Sequence, residues 1–179
     1  MYSYQSFLDM LAEAKSEGDR ACALVLAANL ENRLKELLLT YFVPLSKQDS
    51  EKLFNGQAPL ATFSSRIKLA WVSGLLSEEE EHDLNVIRGI RNEFAHGEHG
   101  LSFETKAIRD RCASLKMPSE MTKQYPEHID SAKRPRSRYQ ITAASLTLLL
   151  ANRNASVLLT KRAPHPATSI LTKRDGPVD

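Results

Sequence analysis

The chain has 179 residues, 42% of them hydrophobic, with a net charge of only +2. That suits one domain with a real core, and no run of about 18 apolar residues exists to span a bilayer. The charge is unevenly spread: residues 1–115 carry 13 Lys+Arg against 17 Asp+Glu, a net of −4, and residues 116–179 carry 11 against 5, a net of +6.

In chain order, Tyr4, Phe7, Leu8, Leu11 and Ala14 recur at three and four, which predicts a helix over about 3–16. This start lacks the basic and apolar regions of a secretory leader. Gly18 breaks the helix and Asp19 is placed to cap the next. That helix runs over about 20–43 on a stripe of Leu24, Val25, Ala28, Leu34, Leu37, Leu38 and Tyr41, and Pro44 stops it. Ser50 to Phe54 can form one turn, and Asn55-Gly56 marks a bend. A helix over about 62–74 follows, with Phe63, Leu69 and Trp71 as core residues and Gly74 at its close.

The helix over about 77–97 has the clearest start. Ser77 stands three before Glu80, a capping-box spacing, and Glu78 to Glu81 sit where the helix dipole favours negative charge. Leu84, Ile87, Arg91 and Phe94 then follow at helical intervals, and Gly97 ends the run. A further helix is expected over about 102–115 with Ser102 as its cap. Residues 116–138 read as a polar linker, 139–162 as an additional helix and 163–179 as a flexible, basic tail. The helices near 20–43 and 77–97 are expected at the centre of the bundle. The class is all-α, a single-domain helical bundle over 1–115 with a basic C-terminal extension. Cys22 and Cys112, both in helical patterns, are expected buried and reduced, which suits the cytoplasm.

Two functional classes can be tested on charge and spacing. The pair of helices near 62–97 has a superficial helix-turn-helix spacing, Ala70 to Gly74. Its second helix opens "SEEEEHD", which phosphates would repel, so groove reading is disfavoured. The His82, His96 and His99 spacing is poor for a metal, and neither a metal nor a cofactor is expected.

What remains is the crowding of Arg91, Asn92 and His96 at the end of a core helix. Chemically, such a trio can cleave RNA without a metal. His96 would move the proton, Arg91 would stabilise the phosphorane oxygens, and Asn92 would orient the phosphate or the imidazole. The structural alternative has Arg91 paired with Glu31 or Asp19, Asn92 bonded to backbone, and His96 closing the helix C-terminus.

At these residues a family resemblance emerges. Residues 54–96, "FNGQAPLATFSSRIKLAWVSGLLSEEEEHDLNVIRGIRNEFAH", closely resemble the mannitol operon repressor family of bacterial regulators. "GDRACALVLAANLENRLKELL" (18–38) and "LSFETKAIRDRCASL" (101–115) fit the same pattern. The resemblance implies an all-helical regulator of mannitol-utilisation genes that works through a protein partner. Arg91-Asn92 followed by His96 is also similar to the R-x4-6-H motif of HEPN domains, helical bundles that often form homodimers. That second resemblance implies a metal-independent ribonuclease or RNA-binding protein with Arg91, Asn92 and His96 as its catalytic residues.

Overall fold

A computed structural model describes residues 9, 12, 14, 16–97, 99–119, 133–160 and 162–164. All regular structure among them is helical. Six helices have defined bounds: α1 Asp19–Tyr41, α2 Lys47–Phe54, α3 Phe63–Val72, α4 Glu78–His96, α5 Lys106–Ala113 and α6 Pro135–Leu158. The helix expected over 3–16 falls mostly outside the described residues. The same holds for most of the 116–138 segment and for the tail beyond Pro164.

The core is a continuous cluster drawn from all six helices, and α1 runs through its middle. The most extensive partner of α1 is α6, with α4 and α3 packed on its other sides. The centre is therefore three helices, α1, α4 and α6, where the sequence pointed to two. The reason lies in the side chains of α1. Its buried stripe in the first half is Cys22, Ala23, Leu26, Ala27 and Leu30. The expected residues Leu24, Val25 and Ala28 lie at the edge or outside. Both faces of this segment are apolar, so periodicity alone could not choose between them. The face bearing Cys22, Ala23 and Ala27 admits α6 closely, and the fully buried Tyr139 donates its hydroxyl to Ala23 O at 2.8 Å. Farther along, Asn29 Nδ2 donates to Thr147 Oγ1 at 2.9 Å.

Asp19 does not cap α1. Gly18 occupies that place, and the Asp19 carboxylate instead accepts Phe103 N at 2.9 Å and pairs with Arg136 at 2.7 Å. These bonds tie α1 to the 101–105 loop and to the start of α6. Phe103 then stacks between Phe94 and Tyr139, with ring centroids 5.1 and 5.2 Å away. Because Phe103 is drawn into that stack, α5 begins only at Lys106, with Thr105 rather than Ser102 as its N-cap residue.

Local signals set the other termini. Ser46 and Thr62 each accept the backbone N–H three residues on, capping α2 and α3. Gly56 and Gly74 adopt φ of 62° and 70°, the left-handed region open to glycine. Phe63 is buried, whereas Leu69 and Trp71 are half-buried at the edge of the core. Lys68 Nζ covers the Trp71 ring at 4.2 Å.

Candidate functional site

The trio on α4 is positioned by what happens at the two ends of that helix. At the N-terminus the capping box is complete. Ser77 Oγ accepts Glu80 N at 3.3 Å, and Glu80 Oε2 accepts Ser77 N at 2.9 Å. Glu80 is buried, and Arg153 of α6 grips it with both guanidinium arms, at 2.7 and 3.0 Å. Arg153 also donates to Leu75 O at 3.0 Å. One turn on, the fully buried Asp83 accepts the backbone N–H groups of Lys116 and Met117, each at 2.9 Å. Its carboxylate thus meets two donors, as a buried anion requires.

At the C-terminus, Gly97 closes α4 with φ −76°, an ordinary conformation. Glycine is needed there for space. A Cβ would lie 2.3 Å from Leu101 Cδ1 and 2.6 Å from Glu93 O. The Gly97 carbonyl accepts Arg20 Nη2 at 3.0 Å, so a cation from α1 meets the negative end of the helix dipole.

Between these anchors Arg91 is half-buried and donates from Nη1 to Asn92 Oδ1 at 3.0 Å. Neither carboxylate expected to hold it does so. Glu31 pairs with the buried Arg66 at 3.3 Å, and Asp19 pairs with Arg136. Asn92 is likewise half-buried and bonds Arg91 rather than backbone. His96 is exposed on the last turn and makes no hydrogen bond among the described residues. Arg20, not His96, bonds the end of the helix. Asn92 and His96 are four apart and so adjacent on the surface; Arg91 is offset toward the core. Burial pushes the Tyr139 phenol well above its ordinary range, and the charge of Arg91 partly opposes that shift. Arg91 therefore sits within electrostatic reach of the core.

Four arginines matter more than the sequence suggested. Arg66, Arg136, Arg138 and Arg153 each satisfy several acceptors from distant segments. Arg66 alone donates to the carbonyls of Leu60, Phe54, Ala61 and Glu31. One signal could have flagged it: Arg66 stands three after Phe63 and four before Ala70, on the buried stripe of α3. Arg136 stands three before Tyr139 and Arg153 three after Leu150, so each extends the buried stripe of α6 in the same way.

No helix of the described residues is long and apolar enough to cross a membrane. No group of three metal-ligating side chains gathers among them.

The comparisons with known proteins agree with this architecture. A chain of the X-ray structure of the MtlR–HPr complex from Escherichia coli matches with a TM-score of 0.65 at 19% identity, covering 81% of this chain and 98% of that one. The crystal structure of a possible transcriptional regulator, YggD, from Shigella flexneri matches with a TM-score of 0.61 at 12% identity, covering 88% and 99%. No curated protein sequence matches significantly. The mannitol repressor family model matches residues 9–155, from before α1 to near the end of α6. The chain belongs to the mannitol repressor family.

Proposed function

We propose that the chain is a transcriptional regulator of the mannitol-repressor type that acts in the cytoplasm through a protein partner, not by placing a helix in a DNA groove. The observation that carries this reading is the family match over residues 9–155, joined to the charge of α4. The helix that would have to enter a groove opens with Glu78, Glu79, Glu80 and Glu81, and phosphates repel such an end. The Escherichia coli protein is found in complex with HPr, which makes HPr the first partner to test. The reading allows a homodimer and requires no cofactor.

The test titrates the full chain with HPr by calorimetry, and with mannitol-operon operator DNA by mobility shift at about 150 mM salt. A saturable protein complex with no operator shift by the chain alone is expected. A sequence-specific shift by the chain alone would overturn the mechanism.

A second reading rests on the exposure of His96 beside the hydrogen-bonded pair of Arg91 and Asn92. It assigns a HEPN-type, metal-independent ribonuclease or RNA-binding activity, with these three as the catalytic residues. It predicts RNA cleavage in EDTA that His96→Ala abolishes without changing the melting temperature. Absence of cleavage across varied RNAs removes it.

A further inference from the structure

The arginines that tie this bundle together all have partners. Arg66, Arg111, Arg136 and Arg153 pair with carboxylates, and Arg138 donates to three carbonyls. Two guanidinium groups on α4 break the pattern. Arg88 is half-buried, its Nε is shielded from solvent, and among the described residues it has no hydrogen bond or ion pair. Among the described residues Arg91 bonds only the neutral Asn92. Five carboxylates of α1 and α4 have partners of their own. Glu31 holds Arg66, Glu80 holds Arg153, and Glu93 holds Arg111. Asp83 holds two backbone amides, and Glu81 holds Asn85.

Positions three and four apart on a helix are neighbours, so Arg88 lies beside both Arg91 and Asn92. Asn92 Oδ1 is occupied by Arg91, and its Nδ2 hydrogens remain. These three side chains therefore present mainly donors. A partly buried guanidinium without an anion is costly, and a ligand that supplies the charge removes the cost.

We propose that Arg88, Arg91 and Asn92 form an oxyanion site that takes a phosphate monoester. Two guanidinium groups carry two positive charges. A phosphate monoester near neutral pH carries close to two negative charges on three oxygens, and the planar arginine fork matches that geometry. A phosphodiester or a carboxylate supplies only one charge. The site does not rest on the partner-protein reading. It shares Arg91 and Asn92 with the ribonuclease reading, from which it differs in needing Arg88 and not His96.

The experiment titrates the full chain at about 150 mM sodium chloride with inorganic phosphate, glycerol phosphate and a short single-stranded RNA, read by calorimetry and thermal shift. Inorganic phosphate and glycerol phosphate are expected to bind and to raise the melting temperature, with RNA binding more weakly per phosphate. Arg88→Met is expected to abolish both responses while leaving the melting temperature of the ligand-free protein unchanged or higher, because it keeps the stem and removes an unpaired charge. Arg88→Lys, which keeps charge without the fork, weakens binding by about tenfold. His96→Ala leaves phosphate binding intact, whereas a ribonuclease site would lose RNA cleavage with that variant. The proposal is overturned if neither phosphate nor its monoester binds, if RNA binds better than both, if Arg88→Met still responds, or if Arg88→Met lowers the ligand-free melting temperature as a structural residue would.

Discussion

Replacing Arg153 by methionine isolates the bond between the last helix and the start of α4. The native guanidinium meets Glu80 at 2.7 and 3.0 Å, and the side chains are 30% and 7% exposed, respectively. Breaking a buried pair by removing one partner typically costs about 3–5 kcal/mol, because the other charge stays buried. Arg153 is partly in water, and Glu80 keeps the Ser77 N–H, so about 2–3 kcal/mol is expected here. For a chain of this length that lowers the melting temperature by about 5–10 °C. The assay is urea denaturation followed by circular dichroism; urea, unlike guanidinium chloride, leaves the ion pair unscreened. A cycle with Glu80→Gln should return a coupling of about 1–2 kcal/mol. A loss below about 0.5 kcal/mol for Arg153→Met would refute the reasoning, since it would mean that the pair behaves as a solvated surface contact.

Gly97→Ala should destabilise the fold by about 1–3 kcal/mol, because the new methyl meets backbone as well as Leu101; Leu101→Ala added to it should recover only part of that loss. Tyr139→Phe should cost about 1–2 kcal/mol, measured the same way, since Ala23 O loses a buried donor. Burial raises the Cys112 thiol from 9.0 to about 12 and raises Cys22 as well, so neither should react with a disulfide reagent at neutral pH until the chain unfolds. The same shift sets a pH dependence. The folded state keeps its proton where the unfolded thiol loses it, so this contribution is complete below about pH 9 and is lost as pH rises toward 12. His96→Ala should change stability by less than about 0.5 kcal/mol, as expected for an exposed side chain; a larger loss would show a hidden structural role.

The order of helices and the turns at Gly56 and Gly74 were legible because their causes are local. Ser77 and Glu80 announce the capping box within four residues, but nothing nearby announces that Glu80 also binds Arg153 from 73 residues away. Asp19 has the chemistry of a cap, and the tertiary demands of Phe103 N and Arg136 outbid the local one. Glu31 was a reasonable partner for Arg91 by proximity of helices, yet Arg66 occupies it. The crowding of Arg91, Asn92 and His96 was visible as a pattern; that Arg88, one turn earlier, has no counter-charge among the described residues follows only from the tertiary structure.

The pairing of α1 with α6 also dictates when the molecule can fold. These helices are near opposite ends of the described chain, and 93 residues separate Tyr41 from Pro135. At about 5–20 residues per second, a ribosome makes α1 roughly 5–20 s before α6 is available to cover it. Throughout that interval the stripe of Leu26, Leu30 and Leu34 has only partial shelter from α3 and α4. Closure of the core is thus a late, long-range event, and a nascent chain stalled before residue 135 leaves an apolar helix face open to chaperones or to other chains.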